Sequence, residues 1–125
     1  MKGYKLKIEQ REDYLYAYYE AEKDSIALSN ELWEKISSSM KDSALSKLLV
    51  VENIKTNPGS VLEMYNIVNA AIKLDFRGKA IAFVDLIDDH YNSNKFGETL
   101  AVNLGVNGRL FKTQDEAKKW LQTQP

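Results

Sequence analysis

The first hydrophobic pattern along the chain has a period of two. From Tyr4 to Ile8, a tyrosine, a leucine and an isoleucine share one side of an extended chain and two lysines share the other, which is typical of a half-buried strand. The charged turn Arg11 to Asp13 separates this segment from the aromatic-rich run Tyr14 to Tyr19, and aromatic residues favour strands. The two segments are therefore predicted to form an antiparallel hairpin.

Farther along the chain, four segments carry apolar residues at helical spacing. The first and third are predicted to begin at Ser29 and Ser93, since serine favours helix N-termini. The second and fourth begin with the pattern of a capping box, in which a hydroxyl and an acidic side chain three residues later satisfy backbone amides. These two patterns span Ser60 to Glu63 and Thr113 to Glu116.

Short apolar runs without helical spacing lie between the predicted helices. Leu48 to Val51 and Ala80 to Val84 are almost unbroken, as expected of strands that are covered on both faces. Val106 to Phe111 predicts a short last strand. The element order β-β-α-β-α-β-α-β-α predicts a single α/β domain over residues 1–125, with a mixed sheet of roughly five strands and helices on the sheet faces.

Composition narrows the functional classes. Of the 125 residues, 17 are lysine or arginine and 18 are aspartate or glutamate, so the formal charge is -1. Proteins that bind nucleic acid usually carry a basic excess, and nucleic acid is therefore not an expected partner. The chain has no cysteine and one histidine, which excludes disulfides and thiolate metal sites and leaves few metal ligands.

Several signals of location and catalysis are missing from the sequence. No apolar run approaches the roughly 18 residues that span a bilayer, and the alternating N-terminus differs from a signal peptide, so a cytoplasmic protein is predicted. No cofactor is expected, because neither a Gly-x-Gly-x-x-Gly fingerprint nor a Walker A loop occurs. A Gly-x-Ser-x-Gly nucleophile elbow is also absent, and the chain is predicted not to be an enzyme.

The C-terminal segment carries a distinctive combination of residues. Phe111, a threonine-capped turn and the run Glu-Ala-Lys-Lys-Trp-Leu at 116–121 follow the last predicted strand. Together with the strand at 79–84 and the run Gly97 to Ala101, this segment resembles the STAS superfamily in its SpoIIAA-like branch. The resemblance spans nearly the whole chain. It implies a non-enzymatic regulatory or protein-interaction domain, with a protein partner or a homodimer.

The resemblance also points to one modification site and to one alternative function. In the anti-sigma-factor antagonists of this superfamily, a partner kinase phosphorylates a serine in an Asp-Ser-Ser-Gly turn. The corresponding segment here is Lys-Thr-Asn-Pro-Gly-Ser at 55–60, without the acid and the paired serine, so Ser60 is the phosphorylation candidate. Other members of the branch are similar to lipid-binding Sec14-type folds. This likeness implies, as the alternative, a protein that binds a small apolar molecule between its helices and its sheet.

A polar cluster follows the strand at 80–84. Asp85, Asp88, Asp89 and His90 are expected at the carboxyl edge of the sheet, where open α/β sheets usually bind ligands. Carboxylate oxygens and one imidazole suit a divalent cation, so these four residues are a candidate ligand or cation site. A solvated acidic loop is the simpler explanation.

The aromatic residues have structural explanations. The tyrosines of the run 14–19 are expected to pack against a sheet face with their hydroxyls in water, or alternatively to line a groove. Trp33 and Trp120 are expected on the inner faces of helices, where they would pack in the core.

Ser60 is predicted to act as a helix cap. We expect Ser60→Ala to lower the free energy of unfolding by about 1 kcal/mol. Ser60→Asp should retain much of the lost stability, because aspartate also caps helices and suits the helix dipole. Urea denaturation of the three proteins measures this ranking. Phosphorylation of Ser60 in cells, or loss of partner binding by a folded Ser60→Asp variant, would contradict the structural role.

Overall fold

Five strands form one sheet and four α-helices pack against it in the computed structural model, which describes residues 3–56, 61–74, 76 and 78–125. The strands are β1 Tyr4–Arg11, β2 Tyr14–Lys23, β3 Lys47–Thr56, β4 Ala80–Asp85 and β5 Asn107–Phe111. The helices are α1 Ile26–Ser43, α2 Val61–Ile72, α3 Tyr91–Asn103 and α4 Gln114–Gln122, and a 3-10 turn at Asp88–His90 precedes α3.

The strands lie in the sheet in their chain order, from β1 to β5. β1 pairs antiparallel with β2, and the other neighbours are parallel. Because each parallel connection steps to the next strand in the same direction, right-handed crossovers place α1, α2 and α3 on one face. α4 follows the last strand and covers the opposite face. The predicted α/β fold, with a mixed five-stranded sheet and helices on both faces, is confirmed.

Two apolar cores lie on the two faces of the sheet. The core under α1 includes three residues of that helix, namely Leu32, Ile36 and Met40. The core under α4 includes Ala117 and Leu121. Alternate residues of Leu48–Val51 belong to opposite cores, and all four are inaccessible to solvent. β3 is therefore the central strand that the unbroken apolar run predicts.

Helix α1 begins earlier than the sequence pattern predicts. The helix starts at Ile26, and its cap is Ser25, whose hydroxyl accepts the backbone N–H of Leu28 at 3.1 Å. The predicted cap, Ser29, lies inside the helix, where it is buried and donates its hydroxyl to Asp24 at 3.2 Å. The prediction was wrong because the Ser29 hydroxyl is bound to Asp24, whereas the Ser25 hydroxyl lies where it can accept a backbone N–H three residues later.

The segment after β4 is more helical than the sequence pattern predicts. The pattern predicts that the third helix begins at Ser93, whereas α3 already begins at Tyr91. The 3-10 turn before it ends at His90, which is buried. Asp85 supports this turn by accepting the backbone N–H of Ile87 at 2.9 Å. Contacts with the sheet thus order a segment that has no apolar face of its own.

The predicted start of α4 is confirmed. Thr113 Oγ1 accepts the backbone N–H of Glu116 at 3.2 Å, and the same hydroxyl donates to the Glu116 carboxylate at 3.1 Å. Trp120 packs on the inner side of this helix, with its ring centroid 5.6 Å from that of Phe111. The capping pattern and the packing of the tryptophan therefore agree with the sequence analysis.

Leu121 of α4 packs in the core between this helix and the sheet, and it is only 2% exposed. We expect Leu121→Ala to lower the free energy of unfolding by about 2 to 4 kcal/mol, because the truncation removes buried methyl groups and leaves a cavity. Leu104→Ala is the matched control. Leu104 is 52% exposed, so its truncation should cost less than about 0.5 kcal/mol. Equal losses in chemical denaturation would mean that α4 is not part of a core.

Candidate functional site

Three polar residues lie side by side on the sheet face that α1, α2 and α3 cover. Tyr19 of β2 is in register with Glu52 of β3, which is in register with Asp85 of β4. The residues two positions earlier in each strand pack in the core under α1. Because side chains alternate along a strand, Tyr19, Glu52 and Asp85 form one polar row on that face.

Hydrogen bonds connect the polar row internally and to α3. The Tyr19 hydroxyl donates to Glu52 Oε1 at 2.8 Å. Asp85 Oδ2 accepts the side-chain amide of Asn94 at 2.6 Å and lies 3.2 Å from His90 Nδ1. Asp85 therefore joins the end of β4 to the beginning of α3.

Asp24 places a third carboxyl group at this end of the sheet. It follows β2, and its Oδ1 accepts the backbone N–H of Ser25 at 2.8 Å and the hydroxyl of Ser29 at 3.2 Å. The backbone N–H of Asp24 donates to the carbonyl of Thr56 at 3.2 Å. These bonds hold the buried Asp24 between the start of α1 and the end of β3.

The surroundings of these groups disfavour negative charge. Burial raises the pKa of Glu52 well above its ordinary value, and the charges of Asp85 and Asp24 raise it further, whereas the hydrogen bond from Tyr19 lowers it by less. Burial likewise raises the pKa of Asp24, and it raises the pKa of the Tyr19 phenol well above the ordinary value. Glu52 therefore keeps its proton to a higher pH than an exposed glutamate.

The structure brings two of the four predicted cation ligands together. Ligand atoms of Glu52, Asp85 and His90 lie within 4.8 Å of one another, which is close enough for them to share a metal ion. Asp88 and Asp89 lie outside this group, on the exposed side of the 3-10 turn. The third member, Glu52, comes from the neighbouring strand. Binding of a cation here stays a prediction.

A partly open cavity of about 150 Å³ lies beside the polar row, between the sheet and helices α1, α2 and α3. Its polar wall residues include Tyr19, Asp24, Ser29, Glu52, Asn94 and Glu98. Its apolar wall residues include Trp33, Ile67, Val68, Phe76, Ile81 and Phe83. Small residues also line it, namely Ala71, Gly97, Ala101 and Gly108, and their lack of bulk leaves the space open. Glu52 retains accessible surface because it faces this cavity.

One expectation about the tyrosines was wrong. Tyr19 is 1% exposed and its hydroxyl bonds to Glu52 rather than to water. The alternation along β2 carried the signal, because Tyr19 falls on the same side as the core residues Leu15 and Ala17.

The phosphorylation candidate Ser60 lies outside the described residues, and its role stays a prediction.

Comparison with known proteins bears on the fold. No family model and no curated protein matches the sequence. A solved anti-sigma factor antagonist from Mycobacterium paratuberculosis is similar, with a TM-score of 0.68 and 10% identity over 97% of this chain and 96% of that chain. An uncharacterised DUF3478-family protein with a SpoIIAA-like fold, from Shewanella loihica PV-4, has a TM-score of 0.54 and 14% identity over 95% and 94%. The chain has a SpoIIAA-like fold.

The polar row makes the stability of this SpoIIAA-like fold depend on pH. The unfolded chain releases the Glu52 proton near the ordinary pKa of 4.5, whereas the folded chain keeps it to higher pH. The stability that this group contributes is therefore complete below the unfolded pKa and is lost as the pH rises through the folded pKa. We expect the free energy of unfolding, measured by urea denaturation, to fall as the pH rises above the ordinary glutamate pKa of 4.5.

Glu52→Gln should remove most of this pH dependence. Glutamine keeps the shape of the side chain and can accept the Tyr19 hydroxyl, but it does not ionise. The pKa of Asp24 is also raised. The Glu52→Gln variant should therefore keep a weaker dependence of stability on pH, with the same sign. Glu22→Gln changes an exposed glutamate near the end of β2 and is the matched control. A variant at Glu52 with the wild-type pH profile would contradict the assignment.

Proposed function

We propose that the chain is a non-enzymatic regulatory domain that acts by binding a protein partner. The observation that carries this proposal is a group of exposed apolar residues that follow the carboxyl ends of the parallel strands, namely Ile26, Leu62, Leu86 and Tyr91. Exposed apolar groups that share one region of a surface are typical of interaction sites. The fold similarity to an anti-sigma factor antagonist is in keeping with a regulatory role.

The topology gathers these residues at one edge. Ile26 begins α1 directly after β2, and Leu62 lies in the first turn of α2 after β3. Leu86 follows β4, where its backbone N–H donates to the carbonyl of Glu52 at 2.9 Å. Tyr91 begins α3. Since β2, β3 and β4 are parallel, these positions all belong to the carboxyl edge of the sheet.

The geometry of the polar groups also favours binding over catalysis. Asp85 and His90 are buried and contact each other, and neither is among the residues that line the cavity. A general acid or base must reach the proton that it transfers. An acid-base pair held behind the cavity wall is therefore better suited to holding α3 in place than to acting on a bound molecule.

The predicted cytoplasmic location belongs to the same proposal, because a regulatory domain of this kind would meet its partners there. None of the helices in the described part of the chain is long and apolar enough to cross a bilayer. The partner is either a different protein or a second copy of the chain, and the experiment below distinguishes these two.

The cavity favours a second candidate function, which is binding of a small, largely apolar molecule. Its volume of about 150 Å³ is comparable to apolar cavities that hold a molecule of the size of benzene. Helices α1, α2 and α3 and four strands contribute to its wall. This candidate is compatible with the first, because the cavity lies inside the domain and the exposed residues lie on its surface.

The carboxyl-edge surface can be tested by removing its apolar side chains. We expect wild-type protein isolated from its native cells to carry a protein partner or a second copy in native mass spectrometry. The double variant Leu62→Gln with Leu86→Gln should lose this species by about tenfold or more, because residues at the centre of an interface often contribute more than 1 kcal/mol each.

The matched control removes similar apolar groups from the opposite edge. Val102 and Leu104 lie at the end of α3 and are 53% and 52% exposed, against 67% and 47% for Leu62 and Leu86. Val102→Gln with Leu104→Gln should keep the partner. The proposal fails if the wild type is a bare monomer, or if the carboxyl-edge variant retains its partner as well as the control does.

A further inference from the structure

The cavity beside the polar row differs in chemistry from one end to the other. Glu52 and Tyr19 stand at the end toward the carboxyl edge. Ile81 lies four positions before Asp85 in β4 and is in register with Gly108 of β5. The wall at this end is apolar. A molecule in this cavity would therefore place one end among polar groups and the other against apolar side chains.

The cavity receives no positive charge from the sheet. Arg109 is a wall residue, but its guanidinium lies over the Phe111 ring, 5.7 Å from the centroid. Phe111 packs against the core under α4, and residues two apart in a strand share a face. Arg109 therefore lines the cavity with its backbone and holds its charge on the opposite face.

The acidic wall residues differ in how they are paired. Glu98 forms an ion pair with Lys95 at 2.7 Å and accepts the backbone N–H of Leu110. No lysine or arginine in the described ranges forms an ion pair with Asp24 or Glu52. Within the described part of the chain, these two carboxyl groups therefore lie at the cavity wall without an ion-paired lysine or arginine.

The hydrogen-bonding capacity at the polar end is mostly that of acceptors. The hydroxyl of Tyr19 already donates to Glu52, and that of Ser29 already donates to Asp24. The carboxyl groups of Glu52 and Asp24 remain at this end as acceptors, beside the side-chain amide of Asn94. A ligand that fits this end must supply donors, and one that also carries positive charge would balance the carboxyl groups.

We infer that the cavity binds a small protonated amine, with its ammonium group against Glu52 and Asp24 and its apolar body toward Ile81 and α2. This inference rests on the second candidate function, binding of a small molecule, and it specifies the chemical class of that molecule. An ammonium group offers three donors and a full charge. The volume limits the apolar body to about one aromatic ring or a short alkyl chain.

The buried carboxyl groups support the same ligand class. The pKa of Glu52 is raised by burial and by the charges of Asp85 and Asp24, and the pKa of Asp24 is raised by burial. His90, Tyr19 and Glu98 are further titratable groups around them in the described chain. A bound cation favours the charged form of both carboxyl groups, so the amine would supply a charge balance that the described lysines and arginines do not supply there.

The test compares benzylamine with benzyl alcohol, which has the same ring and a neutral head, and with benzoate, which carries the opposite charge. Binding is followed by the indole N–H resonances in two-dimensional NMR. Trp33 lines the cavity and Trp120 packs on the other face of the sheet, so the second indole is an internal control. We expect benzylamine to shift Trp33 alone. Benzyl alcohol should bind at least about tenfold more weakly, and benzoate should not bind.

Glu52→Gln should weaken benzylamine binding at least about tenfold and leave benzyl alcohol within about twofold. Asp24→Asn provides a second variant with the same expectation if Glu52→Gln fails to fold. Glu22→Gln, which removes an exposed negative charge, should leave all affinities unchanged. Ala71→Phe fills the cavity and should abolish binding of both neutral and charged probes.

The outcomes separate this inference from the function on which it rests. Equal binding of benzyl alcohol and benzylamine, or benzylamine binding that does not depend on Glu52 and Asp24, would overturn the amine and leave an apolar binding cavity. If no probe shifts the Trp33 resonance, both the amine inference and the small-molecule function are overturned. Zinc added alone is the remaining probe. A response to zinc that depends on Glu52, in the absence of any response to benzylamine, would replace the amine by a metal cation.

Discussion

The parallel pairing of β3 between β2 and β4 is the constraint from which the rest of the structure follows. β3 is apolar on both faces over Leu48–Val51, so both cores depend on its position. A shift of its register by one residue would turn every side chain to the opposite face. Glu52 would then leave Tyr19 and Asp85 and turn toward the face that α4 covers. The same pairing thus builds the cores and the polar row.

The polar row is costly to bury, and its hydrogen bonds offset only part of that cost. Carboxyl groups removed from water must lose their charge or find partners. Tyr19, Asn94, His90 and backbone amides supply these partners, and burial raises the pKa of Glu52. Apolar residues at these positions would pack with less penalty. Departures from the pattern of a simple core are expected at functional sites, and this departure lies at the wall of a cavity.

The proposed partner surface and the cavity lie at the same edge of the sheet. Leu86 is exposed on the surface, while its backbone N–H bonds to the carbonyl of Glu52. Leu62 is exposed at the start of α2, and Ile67 one turn later lines the cavity. Helices α2 and α3 therefore present one side to solvent and the other to the cavity. The same short segments of chain therefore connect the cavity wall with the proposed partner surface.

Local patterns in the sequence were sufficient for the element order, the hairpin, the central strand and the cap of α4, because each depends on residues within a few positions of one another. Glu52 also left a local signal, as an acid on the inward side of β3 between Val50 and Ile54. The contacts around Glu52 left no signal in the sequence. Tyr19 lies 33 residues before Glu52 in the chain, and Asp24 and Asn94 are ordinary polar residues beside a strand and within a helix. Only the tertiary structure could assemble them, because contact between residues distant in the chain is decided by which strands are neighbours and in what register.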